Sequence, residues 1–435
     1  MPHLPLPGEG TGQSPTLDPP PDMLAETAAF FDRFIRLAAL PLGVVFSLTS
    51  LFIFLALLLN GLGITHADLG PNWHDFQSFW SAGVAATHGQ GGKLYDFVWH
   101  SAHIKQIFGS EGQDFGWHYP PQFLLVLAPL TALPLPLAFT LWFLLPLAGF
   151  AWLIYRLIPD WRAPLIALGC PVTIVNTGYM QNGVLSAALI GLALLPFVEN
   201  KRPSAINTSL LAFKPHLGLV FPVAFAAGRL WTTIAVTVLC LAVQAGLTAL
   251  VFGPQIWLDF WGSLTQSRTI LLSEIGAGNH HYASVFGSVR LLGGPTSWAY
   301  LAQILSAGLV LYALWSIWRP DTPRPLKAAL LVASIPLTAP YLMHYDMVMS
   351  VLAGVLLIRQ RRFELWEQRD RFLLAGLWLS TTFNHGLQKD YAIPSAVIGN
   401  LLLYSLVYRT ILSEQARSNG NAIIRSAASG PGSAH

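Results

Sequence analysis

The chain has 435 residues, of which 10% are charged and 53% hydrophobic, with a mean hydropathy of +0.52. A soluble domain carries about a quarter charged residues, so the composition excludes that class and leaves an all-α polytopic membrane protein. The net charge of +3 comes without a basic, aromatic-interleaved patch, which leaves no expectation of a nucleic-acid partner. Cys170 and Cys240 each sit inside an apolar run, a poor setting for a disulfide or a thiolate metal site.

Residues 1–24, rich in Pro, Gly and Ser, read as a disordered cytoplasmic tail. The first apolar run, 38–59, follows Arg33 and Arg36, which place the N-terminus inside. Beyond it comes Asn72-Trp73-His74-Asp75-Phe76-Gln77-Ser78-Phe79-Trp80. Trp73, Phe76 and Trp80 share one face at helical spacing. The stretch is expected to be a short helix on the membrane surface, rings in the interface and Asp75 facing water. Asp75 is then a candidate catalytic base.

Residues 61–136 are too many for a bare connection and read as a first outer loop carrying surface helices. The loop closes on Trp117-His118-Tyr119-Pro120-Pro121 and an apolar run, 123–133. As a helix that run is roughly 17 Å long, short of the ~30 Å hydrocarbon core, so it is expected to be re-entrant or surface-lying. Spans follow at 137–157, 163–178 and 183–198, then two short arms within 206–228 that meet at Lys214-Pro215-His216, then 232–252. A second outer loop, 253–296, holds His280, His281 and Arg290. Further spans are read at 297–318, 326–342, 347–358, 372–383 and 394–412, with a mobile cytoplasmic tail at 413–435.

These twelve spans form one transmembrane unit, 25–412, with both ends inside. Most Lys and Arg, including Arg156, Arg162, Lys201, Arg202, Arg361 and Arg362, then fall on the cytoplasmic side, as the positive-inside rule requires. The histidines show the opposite bias and gather outside, at spacings that match no metal-ligand motif. Lys214 stands in apolar sequence, where a lysine is costly unless paired or facing a cavity. It is read as a cation for an anionic lipid headgroup. Gln181-Asn182 ends the third span, and His344-Tyr345-Asp346 is a polar break between the ninth and tenth. With His280-His281 these clusters imply one outward cavity with a cationic rim.

Asp75-Phe76, Phe79-Trp80, Ala82-Gly83, Leu94-Tyr95-Asp96, Tyr119-Pro120-Pro121, Gln181-Asn182-Gly183 and Lys214-Pro215-His216, in that order, resemble glycosyltransferase family 87. Those are integral membrane enzymes of the GT-C superfamily, and they include polyprenyl-phosphate-mannose-dependent mannosyltransferases. The family's Gly-Gln pair before the fourth span is Met180-Gln181 here. The resemblance implies transfer of a mannose-like hexose from a polyprenyl phosphate to a lipid or glycan hydroxyl. The reaction would take place on the outer, periplasmic face of the plasma (inner) membrane. Asp75 matches the family's base, and one base implies inversion. A second carboxylate is unnecessary because phosphate already leaves well, unlike the leaving oxygen in glycosidases. Lys214, His216, His344, His280, His281 and Arg290 become candidates for the donor phosphate, and Tyr119, Gln181 and Asn182 for the substrate. No metal or other cofactor is expected, nor a nucleotide-sugar site, since no glycine-rich loop is present. A transporter or lipid flippase with an outward polar cavity is the alternative; it should show internal repeats with paired broken helices, and none is visible.

Overall fold

The computed structural model describes residues 23–64, 73–268, 281–318, 322–360, 366–381 and 383–428. Among them the regular structure is helical, with one isolated antiparallel bridge, Tyr282 to Met343. The first helix, α1 (Met23–Gly61), includes the first apolar run; of the N-terminal tail, residues 1–22 lie outside the described residues.

In the first outer loop, α2 (Phe76–Thr87) follows a turn at Trp73 and His74. Asp96 caps α3 (Phe97–Phe108) by accepting from the amides of Val98 and Trp99 at 2.9 and 3.1 Å. The run at 123–133 is indeed short: a 3₁₀ turn Pro121–Phe123 leads into α4 (Leu124–Leu130), and the chain turns at 131–134. Helix α4 packs on α2 at Gly83, where a Cβ would lie 2.6 Å from the Leu127 carbonyl oxygen.

The rings expected in the membrane interface pack instead on the protein at Trp73 and Phe76, while Trp80 stays partly exposed. Trp73, Phe76 and Phe79 are 5%, 0% and 2% exposed. Their rings pack on Phe139 and Trp142 of α5 (Leu135–Leu157) and on Trp117, Tyr119 and Phe123. The sequence period shows an apolar face, and the protein's own rings cover it, which gains edge-to-face contacts as well as burial.

The third expected span is two helices, α6 (Arg162–Leu168) and α7 (Pro171–Tyr179). Pro171 has no amide hydrogen and drives Cys170 into extended backbone (φ −61°, ψ 131°). Helix α1 crosses this break: a Cβ on Gly169 would lie 2.2 Å from the Gly43 carbonyl oxygen. Next come α8 (Gly183–Val198), α9 (Ala205–Leu210), a 3₁₀ turn to Phe213, α10 (Pro215–Gly218) and α11 (Val220–Ala227). Lys214 sits at the expected break, non-helical at φ −129°, ψ 75°, because Pro215 follows it.

Helices α12 (Trp231–Phe252) and α13 (Gln255–Arg268) lead to the second outer loop, and α14 (Val285–Leu291) leads out of it. The last six are α15 (Thr296–Trp318), α16 (Arg324–Thr338), α17 (Val348–Gln360), α18 (Gln368–Ser380), α19 (Asn384–Tyr391) and α20 (Ser395–Ala428). The mobile tail expected from 413 is corrected for 413–428, which continue α20; Gln415 ties that extension to the Thr322 hydroxyl at 2.9 Å. Five helices are long and apolar enough to cross a bilayer among the described residues: Leu37–Gly61 of α1, α5, α12, α15 and Ser395–Arg417 of α20.

Polar contacts sort the chain into two ends. At one, Arg156 meets Glu199, Arg324 donates to the Lys201 carbonyl, Arg359 to that of Leu157, and Arg409 meets Asp370. The other gathers the first outer loop, the α7–α8 turn, Lys214 and the 339–347 segment. Gly169→Ala forces backbone apart at the α1 crossing and should destabilise the fold by about 1–3 kcal/mol. Gly149→Ala on α5, whose Cβ meets nothing within 4 Å, should be neutral or stabilising. Thermal unfolding in detergent checks the pair; equal melting shifts would show that the crossing tolerates a methyl group.

Candidate active site

Asp75 occupies the N-cap position of α2, yet its side chain accepts nothing from its own helix. An aspartate there ordinarily caps, as Asp96 does on α3. The Asp75 carboxylate instead accepts a hydrogen bond of 2.6 Å from the Gln181 amide, 106 residues on. The two residues before it, Trp73 (φ 68°) and His74 (φ 42°), are both in the left-handed region. Such backbone costs roughly 1–3 kcal/mol per residue and collects at functional sites. The Trp73 ring packs over Gly61, where a Cβ would meet it at 2.4 Å. Burial pushes the Asp75 carboxyl up to about 6, with the Gln181 hydrogen bond pulling the other way. The residue stays partly exposed.

Two other acids of the first outer loop have other tasks. Asp96 is a cap, Asp114 pairs with Lys105 at 2.7 Å on the surface, and Asp68 lies outside the described residues.

The α7–α8 turn explains its own motif. Met180 has left-handed backbone (φ 53°, ψ 37°), the conformation in which glycine is favoured. The Trp142 indole donates to its carbonyl at 2.9 Å and holds it there. Gln181 then reaches Asp75, and Asn182 donates to the Tyr119 hydroxyl at 2.9 Å. Gly183 lies against the 344–347 turn; a Cβ would sit 2.0 Å from the Tyr345 carbonyl oxygen. Tyr119 has its hydroxyl held well above the usual tyrosine range, first by burial, with Tyr341, Asp346 and Asp75 adding to it.

Lys214 is not a free cation. Its ammonium donates to Asp346 at 2.6 Å, both side chains being 5% exposed or less, and it lies 4.9 Å from the centre of the Tyr345 ring. A lysine stranded in apolar sequence needs a partner, and among several acids on the same side the fold brings Asp346 to it. His216 packs edge-on to Tyr341 at 5.7 Å, and its Nε2 is buried without a partner. His344 donates to the Gln388 side-chain oxygen at 2.8 Å, and its amide to the His281 carbonyl at 2.9 Å. The His281 ring lies 6.4 Å from that of His344 and 5.8 Å from that of Tyr179. Arg290 donates to the Gly294 carbonyl in its own turn, a contact that does not join it to this cluster. His280 lies outside the described residues. No group of three or more His, Cys, Asp and Glu is placed to hold a metal among the described residues.

A partly exposed acid held by a glutamine, beside a cluster of basic and aromatic side chains on an all-helical fold, suits group transfer to a hydroxyl. The sequence model of glycosyltransferase family 87 matches residues 117–343, just over half of the chain, and the chain belongs to that family. It is a membrane glycosyltransferase. The matched stretch contains Tyr119, Gln181, Asn182, Lys214, His216, His281 and Arg290, while Asp75 and His344 lie outside it. No curated protein and no solved structure matches the chain.

Lys214→Ala leaves Asp346 buried and unpaired, which should cost about 3–5 kcal/mol of stability. Lys214→Ala with Asp346→Ala should recover most of that loss in the melting temperature. A double variant as unstable as the single one would show that the pair is not what holds the two segments.

Proposed function

We propose that the enzyme moves a hexose from a polyprenyl phosphate to a lipid or glycan hydroxyl on the outer face of the membrane, with inversion, and that Asp75 is the base. The observation that carries this reading is the Asp75 carboxylate. It is relieved of capping, held by Gln181 and lifted to about 6, near the value at which a base works best at neutral pH. Asp75 takes the proton as the acceptor oxygen attacks the anomeric carbon, and the lipid phosphate departs with the bonding pair. Negative charge grows on that phosphate, so preorganised donors stabilise the transition state. Lys214 with Asp346 is a neutral pair overall, so His216, His281 and His344 share the task of meeting the phosphate with it. The family places the chain among transferases, against the transporter alternative.

The proposed topology has twelve crossings with both ends inside. The polar contacts favour it: every segment expected outside that takes part in the site, 179–183, 214–216, 281–283 and 339–347, meets at one end. Segments expected inside meet at the other. Single cysteines at His88 and Trp261 should label in intact cells with a membrane-impermeant thiol reagent, and one at Arg202 should not. Labelling at Arg202 would overturn the topology.

Asp75→Asn keeps the shape of the side chain and cannot accept a proton. Turnover with polyprenyl-phosphate sugars should fall at least about 10²-fold while the protein stays folded. In the wild type, kcat/KM should fall as pH drops through about 6, because the base must be ionised. Gln181→Leu removes a hydrogen bond that favours the ionised form, so its acid limb should move to higher pH. An Asp75→Asn enzyme of normal turnover, or an acid limb near 4 in the wild type, would place the base elsewhere.

A further inference from the structure

The segment between α16 and α17 carries two tyrosines that the proposed chemistry leaves unused. Tyr341 and Tyr345 are both partly exposed. Neither hydroxyl has a hydrogen-bond partner among the described residues. Their rings, by contrast, are fixed. Tyr341 stands edge-on between His216 and Tyr282, at 5.7 Å from each. Tyr345 lies under the Lys214 ammonium, and its backbone rests on Gly183. The turn that carries Tyr345 is closed by Asp346, which accepts from the Met343 amide at 3.4 Å and from Lys214. Through Gly183 and Gln181 the same turn is tied to Asp75. Tyr119, whose hydroxyl accepts from Asn182, closes the third side.

A fixed aromatic face with an unsatisfied hydroxyl suits a sugar ring. The ring covers the sugar's C–H face, and the hydroxyl bonds one of its OH groups; pockets commonly combine an apolar lining with a few placed polar groups in this way. Two such tyrosines stand beside Lys214 and the orphaned His216 Nε2, on the side assigned above to the departing phosphate. The sugar bonded to that phosphate must lie next to it. We propose that Tyr341 and Tyr345 hold the donor's sugar and set which sugar the enzyme accepts. This rests on the function proposed above.

Tyr341→Phe and Tyr345→Phe keep the rings and their packing and remove only the hydroxyls. The test measures kcat and KM for a panel of polyprenyl-phosphate sugars (mannose, glucose, galactose and arabinose), and inhibition by sugar-free polyprenyl phosphate. For the preferred sugar, kcat/KM should fall about 3–30-fold in each variant, the size of one lost hydrogen bond to substrate. The preference over the other sugars should narrow by a similar factor, and inhibition by the sugar-free phosphate should be unchanged. Equal losses for every sugar, a matching change in inhibition by the sugar-free phosphate, or a rise confined to the acceptor's KM would overturn the assignment while leaving the proposed function standing. A wild type that takes no sugar from the panel overturns both.

Discussion

The left-handed backbone at Met180 lets three consecutive residues point at three separate parts of the chain. Gln181 goes to the head of α2, Asn182 to the Tyr-Pro-Pro segment, and Gly183 gives way to the turn before α17. Each contact joins stretches far apart in sequence, so none forms until the helices that carry them have packed. The turn depends in turn on Trp142, whose indole occupies the Met180 carbonyl. Trp142 belongs to the aromatic cluster that seats α2. Packing and polar positioning here are one arrangement: the rings that exclude water also set the turn that fixes Asp75.

The second tie is the Lys214–Asp346 pair, and it differs in kind. Desolvating two charges costs several kcal/mol, which their attraction recovers only with good geometry. Hydrophobic residues of similar size could hold these segments equally well. What a buried pair adds is a definite position for each segment, since slipping either would strand a charge. That position fixes Tyr345 beside Lys214 and brings Tyr341 within reach of His216.

Much of this was legible in the sequence, and the failures have physical causes. The long apolar runs match α5, α12 and α15 to within two residues, because length and hydropathy alone decide them; α1 and α20 contain their runs but extend well beyond them in polar sequence. Pro171 and Pro215 both mark real interruptions, though only the second is read as a break from the sequence. Asp75 stood out because an acid among aromatic residues is unusual. Its neighbours were misjudged: period gives a helix a face and says nothing of what covers it, lipid or the rings of α5. Lys214 was recognised as costly, but the sequence could not choose its partner 132 residues away. The polar composition after 413 hid the continuation of α20, since a solvated helix has no need of an apolar stripe.

The seat of Asp75 also has a thermodynamic sign. An exposed aspartate would titrate near 3.8, and here the group titrates near 6. The folded state therefore binds its proton more tightly than the unfolded chain does. Below about 3.8 both states hold the proton, and the favourable contribution is complete. As pH rises through about 6 it is lost, because the fold must then keep an anion that water would solvate better. At neutral pH the carboxylate is thus carried at a cost of a few kcal/mol at most. Any event that delivers a proton to Asp75 relaxes the fold around it. The polypeptide is most at ease with its acid neutral, and in the reaction proposed above neutral is the state Asp75 reaches just after it has acted.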